Sequence, residues 1–395
     1  MLLNIALFLS IAGLFLSLWI LVPAPTLFLL PLGVVAPEIS PWLVCLNACA
    51  LTLIITNCSA KGFWWLGLIF SLFALLLSLL PLFQLPATEK KLAAEMTSTL
   101  GANYLNEISP AKQGQMRPRP FVLGDVFRGI PLPEVRIQRG IIFASPDGQE
   151  LKLNTYRPLT KGKYPTLIVI YSGAWRQGNP DKNESFSRYF AAQGYSVIAI
   201  DYRHAPQYRF PSQLEDVQTA LHYIISHAEE LEVDTERLAI MGRSAGSHLA
   251  MLAGYQSDNI PFKAIVNYYG PVNLSRSYQN TPFPNPLNTR AVLRDFLGGT
   301  PEELSALYEQ ASPINKVKPK LPPSLLVYAQ RDHLVQAKIG RELYDLMQAQ
   351  NNLTIWLEIP WAEHVFDEVF SGVSNQLILY HTERFLAWTL RGSNE

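Results

Sequence analysis

The first 87 residues of this 395-residue chain are almost without charge, holding only Glu38 and Lys61. The other charges follow that stretch, in a chain whose 32 basic and 32 acidic residues cancel. The protein therefore divides into an apolar head and a soluble part. Zero net charge leaves no broad basic field for nucleic acid and suggests no acidic surface as partner. Cysteine is scarce: Cys45, Cys49 and Cys58 all fall in the head. The soluble part thus has no internal disulfide, and the redox compartment stays open. Cys45 and Cys49, four apart on one helix face, read as small packing residues. No C-x-x-C, H-E-x-x-H or G-x-x-x-x-G-K-[ST] pattern occurs, so no metal, nucleotide or other cofactor is expected. No repeat period is visible.

The head is rich in what the rest lacks. Three uncharged runs, 2–22, 41–60 and 62–85, each approach the roughly 20 residues that cross a bilayer as a helix. Trp19, Trp42, Trp64 and Trp65 lie near run ends, where interfacial aromatics belong. A fourth run, 26–36, is fenced by prolines and reads as a loop or re-entrant piece. The first run has no basic n-region and more spans follow it, so it reads as an uncleaved anchor, not a signal peptide. Residues 1–87 are expected to be an integral, multi-pass anchor of about three helices, with the bilayer as partner. Lys90 and Lys91 against Lys61 put the soluble part on the cytoplasmic side. Transport is not suggested, since no ionisable residue lies deep in a run.

Residues 88–132 read as a juxtamembrane helix over 88–105 and a Pro/Gly-rich linker over 109–120. A hairpin follows, 135–143 and 150–156 around Asp147-Gly148. Then apolar strands (166–171, 196–201, 238–241, 263–268, 324–329, 354–359) alternate with helices (183–193, 213–230, 245–255, 337–350, 367–390). Strands apolar throughout and separated by helices imply a mixed, mainly parallel sheet covered on both faces, an α/β fold spanning 133–395. Residues 271–313 break the alternation with one helical patch at 290–296 and form an insertion that can lie over the site as a lid.

Chemistry concentrates where strands end. After 238–241 comes Gly242-Arg243-Ser244-Ala245-Gly246, a G-x-S-x-G between strand and helix. Such an elbow exposes the Ser, needs glycines because a Cβ would clash, and offers helix N–H groups to a developing negative charge. After 166–171, Ser172-Gly173-Ala174-Trp175 is small enough for two successive N–H groups to approach an oxyanion. After 324–329 comes Asp332, and after 354–359 comes His364, a loop histidine. Ser244, Asp332, His364, each following its own strand, is the chain order of an α/β-hydrolase nucleophile, acid and base. His333, beside Asp332, is the competing base. His204 and His248 lie near the site but follow no final strand; His222, His227 and His381 sit on helices.

On these residues the chain resembles the α/β-hydrolase carboxylesterases, especially the hormone-sensitive-lipase-like and acetyl/feruloyl esterase-like branches, over about 133–390. The likeness is carried by Tyr-Ser-Gly-Ala-Trp (171–175), Asp-Tyr-Arg-His-Ala-Pro (201–206), Phe-Pro-Ser-Gln-Leu-Glu-Asp-Val (210–217), Gly-Arg-Ser-Ala-Gly-Ser-His-Leu-Ala (242–250), Tyr-Gly-Pro (269–271) and Pro-Trp-Ala-Glu-His-Val-Phe-Asp (360–367). It implies Ser244 as nucleophile, His364 as base, Asp332 as orienting acid, and the Gly173, Ala174 and Ala245 N–H groups as oxyanion hole. It implies bracing roles for Asp201, Arg203 and Asp216. Two positions depart: Tyr171-Ser172 stands where His-Gly is usual, and Ser247 replaces a Gly. The expected substrate is a small-molecule ester, tethering favouring lipophilic ones dissolved in the bilayer; an amide-cleaving relative and a non-catalytic membrane scaffold are the alternatives.

Overall fold

The computed structural model describes residues 2–57, 63–257 and 260–392. Cys58 and Lys61 lie outside them. The head forms α1 (Leu2–Leu18), α2 (Leu30–Glu38), α3 (Ser40–Thr56) and the long α4 (Trp64–Leu100), with α1, α3 and the first half of α4 packed on one another. Its polarity is inverted. Ser10, Ser17, Asn47, Ser71 and Ser78 are buried between the helices, while Phe8, Ile11, Phe15, Trp65, Ile69 and Phe73 face outward. The Ser10 and Ser71 hydroxyls lie 2.7 Å apart, and the Asn47 amide donates to Ser17 Oγ at 2.9 Å.

Two expectations for the head are revised. Residues 30–38 form a short helix, with Pro31 in the first turn where its missing N–H is harmless. And α4 alone, among the described helices, is long and apolar enough to cross a membrane; α2 and α3, bent by 83°, make a second only as one broken span, and α1 is shorter. The 88–105 helix is not separate either. α4 runs on through Pro81 and Pro86 for 37 residues, about 55 Å at ~1.5 Å per residue. That outreaches a hydrocarbon layer of about 30 Å. Its far end, Leu85, Leu92, Met96 and Leu100, is buried in the core of the soluble part.

The supposed linker is fastened down. It contains α5 (Pro110–Gln113) and is followed by α6 (Leu123–Arg128). Between them Arg117 is buried, its guanidinium donating to Asp125 at 3.0 Å and Gln376 at 2.8 Å. The prolines and glycines signalled irregular chain; the buried arginine makes it a fixed one.

β1 (Arg136–Ala144) and β2 (Leu151–Arg157) form the antiparallel hairpin. Then come β3 (Tyr164–Ile170), α7 (Glu184–Ala192), β4 (Ser196–Ile200), α8 (Ser212–Ser226), β5 (Val233–Arg243), α9 (Ala245–Gln256) and β6 (Phe262–Tyr268). The insertion supplies α10 (Leu274–Gln279), α11 (Thr289–Leu297) and α12 (Ser305–Gln310). β7 (Ser324–Ala329), α13 (Ala337–Ala349), β8 (Thr354–Ile359) and α14 (Val373–Thr389) complete the chain. β5 starts five residues before the expected 238. α14 starts at Val373, not 367, because 360–372 is spent on the loop that carries His364.

The eight strands order as β1-β2-β4-β3-β5-β6-β7-β8, antiparallel at the β1-β2-β4 end and parallel thereafter. This is the mixed, mainly parallel sheet expected from the alternation, in the α/β-hydrolase arrangement that the resemblance implied. The chain switches direction between β3 and β5, which brings their carboxyl ends together and opens a crevice there.

Candidate active site

At the end of β5 the backbone of Ser244 is held at φ 52° and ψ −119°, a region a side-chain-bearing residue rarely occupies. The flanking glycines are required by space. A Cβ on Gly246 would strike the Ile170 and Tyr171 carbonyls of the neighbouring strand end, and one on Gly242 would strike the Gly246 backbone. Ser247, where a Gly is usual, binds the elbow to β6: its hydroxyl donates to Gly242 O at 2.5 Å and accepts from Tyr268 N at 2.9 Å.

The structure brings three of the expected residues together. Ser244 Oγ lies 2.9 Å from His364 Nε2, and His364 Nδ1 lies 2.6 Å from Asp332 Oδ2. Asp332 and His364 are buried. Burial raises the Asp332 carboxyl above its usual range, opposed by His364 and by backbone hydrogen bonds. Its Oδ1 accepts N–H groups from Leu334 at 2.8 Å and Val335 at 2.6 Å. His333, the competing base, turns elsewhere: its Nδ1 lies 2.5 Å from Glu363 Oε2. That same carboxylate accepts the backbone N–H of His333 at 2.7 Å and of His364 at 3.0 Å.

The loop after β3 turns sharply, with positive φ at Gly173 (152°), Ala174 (54°) and Trp175 (58°). Gly173 admits no side chain, since a Cβ would collide with Gln177 O. Ala174 and Ala245 line the same cleft as Ser244; Gly173 is not part of that lining. Trp175 fixes the loop. Its indole N–H donates to His248 Nδ1 at 3.2 Å, and its ring stacks on Phe296 of α11 at 4.2 Å. His248 Nε2 lies 2.6 Å from Ala311 O, and burial pushes the imidazole down to about 4, so it is neutral. Tyr171 hydrogen-bonds Asp201 at 2.6 Å and His204 at 2.8 Å. Arg203 pairs with Asp216 at 2.9 Å.

Sequence reasoning missed what backs His364. The Tyr269 ring meets the imidazole edge-on, 4.7 Å between centroids, and its hydroxyl donates to Asp367, which also takes the buried Arg243 guanidinium. Arg243 and Asp367 stood inside the quoted motifs, yet nothing in their spacing said they would meet. The cleft beside Ser244 is narrow, about 40 Å³, walled by Trp175, Pro271, Leu287, Val292, Leu293, Leu334 and Val335. A larger surface groove of about 450 Å³ touches Asp332 from behind but includes neither Ser244 nor His364. We take the smaller space as the candidate site because Ser244 opens into it. No group of acidic, histidine and cysteine residues able to hold a metal occurs among the described residues.

Known proteins similar to this chain are ester hydrolases by name. The profile of the BD-FAE family matches residues 153–347. "Probable carboxylic ester hydrolase LipM" of Mycobacterium tuberculosis is 28% identical over 333 residues, covering 78% of this chain and 76% of LipM. "Esterase LipC" of the same organism is 27% identical, covering 58% of this chain and 60% of LipC. Among solved structures, "Bacterial Heroin Esterase" superposes with a TM-score of 0.58 at 23% identity, covering 78% of this chain and 99% of the other.

Proposed function

This chain is an α/β-hydrolase esterase, and on that premise we propose that it is a membrane-anchored serine carboxylesterase acting through Ser244, His364 and Asp332. One observation carries the reading: the unbroken hydrogen-bond path from Ser244 Oγ through His364 to Asp332. His364 takes the Ser244 proton as the hydroxyl attacks an ester carbonyl. The oxyanion is received by the N–H groups of Gly173, Ala174 and Ala245, and water then hydrolyses the acyl-enzyme. Asp332 holds the imidazole in the tautomer that leaves Nε2 able to accept. Ser244→Ala is expected to lower kcat on p-nitrophenyl acetate by about 10⁴ or more with the fold intact. Turnover that survives this substitution sinks the assignment.

The inverted polarity of the head supports the anchor. Small and polar side chains at helix contacts with large apolar ones outside is the pattern of helices packed in lipid, where the hydrophobic effect does not drive helices together. We propose that α1, α3 and the first half of α4 embed in the bilayer, that 101–132 fastens the head to the hydrolase domain, and that 271–313 lids the cleft. Lys90 and Lys91 beyond the span favour a cytoplasmic domain.

A further inference from the structure

Three tips of the molecule expose bulky apolar side chains with no cover. Phe28, in the loop before α2, is 89% exposed with Leu27 beside it; Phe283, in the insertion, is 96% exposed. Leu123 and Phe127 of α6 stand next to Trp42, whose indole N–H donates to Val126 O. A scattered surface leucine needs no explanation, but nearly bare phenylalanines on loops do. Both loops belong to uncharged stretches, residues 1–37 and 277–289.

The same two loops meet the cleft. Leu334 lines it and also packs against Ala24, Leu30 and Val34 of the head. Two residues on, the Gln336 amide donates to Asn280 O, three residues before Phe283. The segment 334–336 therefore touches both loops and joins them at the mouth of the cleft that Leu334 and Val335 line. The cleft itself encloses only about 40 Å³, so the larger part of any sizeable ester lies in that mouth.

We propose that Phe28 and Phe283 are the rim of a substrate entrance seated in the headgroup–acyl boundary of the bilayer. Esters with a lipophilic portion then enter from the lipid and not from water. The occupant is lipid because Phe28 belongs to the uncharged head, whose outward side chains are large and apolar, and because Trp19, an interfacial aromatic, packs on the same Ala24, Leu30 and Val34 cluster that meets Leu334. The proposal rests on the anchored-esterase reading above and deepens it.

The test uses full-length protein in phosphatidylcholine vesicles and two esters of one acid: hexadecyl acetate dissolved in the vesicles, and soluble p-nitrophenyl acetate. The double variant Phe28→Asp, Phe283→Asp should lose about tenfold or more in kcat/KM on hexadecyl acetate, an effect sized by removing apolar burial. Its rate on p-nitrophenyl acetate should stay within about twofold, and Phe28→Trp, Phe283→Trp should retain both rates. Equal losses on both esters, no loss on either, or a wild type inert toward hexadecyl acetate overturns the rim. Alkaline carbonate treatment reads the anchor separately: release of the wild type into the supernatant refutes the anchor, whereas retention with unchanged rates refutes the rim alone.

Discussion

The Glu363 carboxylate spans two loops, accepting N–H groups from His333 and His364 as well as the His333 imidazole. It thereby sets the distance between the loop that carries Asp332 and the loop that carries His364. The Glu363 carboxylate holds the His333 imidazole above its usual range. A histidine raised in the folded state stabilises most below the unfolded value of about 6.5, and that contribution fades as pH rises through the folded value. His333→Asn is therefore expected to lower Tm more at pH 6 than at pH 9; a pH-independent loss would count against the pair. Residue identities made Ser244, Asp332 and His364 legible, because each follows a buried strand. They kept His333 as a competing base to His364, because which carboxylate an imidazole faces depends on how two loops fold back, and local pattern does not record that.

Among the elements, α4 shows both the reach and the limit of pattern reading. Its apolar run announced a span and its mixed run a helix. The two were read as separate elements divided at residue 87, where charge begins, yet one helix runs through both, Pro81 and Pro86 included. Apart from β5, the strands were read to within two residues because apolar runs bounded by turns admit few alternatives. The buried ends of α4 were not, because amphipathic periodicity does not name the surface it will cover. Leu92, Met96 and Leu100 close the core beside β8. At about 1.5–3 kcal/mol for each buried side chain, their loss approaches the stability of a whole domain. A fragment beginning at residue 86 is expected to keep a cooperative thermal transition, and one beginning at 103 to lose it. Equal behaviour of the two fragments would show α4 to be a passive stalk.

At the scale of the whole molecule, head and hydrolase share one frame. Leu21 O accepts from the Arg331 guanidinium, Glu38 accepts the Ser374 N–H at the start of α14, and Lys91 pairs with Glu358 of β8 at 3.6 Å. Composition announced the two bodies but not this docking, since contacts between distant segments leave no local trace. Helices of 17 residues, as in α1 and α3, span about 25 Å and are best matched by a thin bilayer. Hydrolysis of hexadecyl acetate should therefore fall as vesicle lipids lengthen from 14- to 22-carbon chains, while p-nitrophenyl acetate hydrolysis stays level. Parallel behaviour of the two esters would dismiss the coupling.

The unbroken α4 also acts as a ruler. A flexible tether would let the hydrolase sweep a hemisphere of solution and reach cargo on another vesicle. On the proposed anchor, one end of this rod lies in lipid and the other in the protein core, which fixes the height and tilt of Ser244 over the leaflet below it. An enzyme held so is expected to work in cis, on its own membrane, with the two-dimensional concentration of ester in that leaflet, not the bulk concentration, setting its rate.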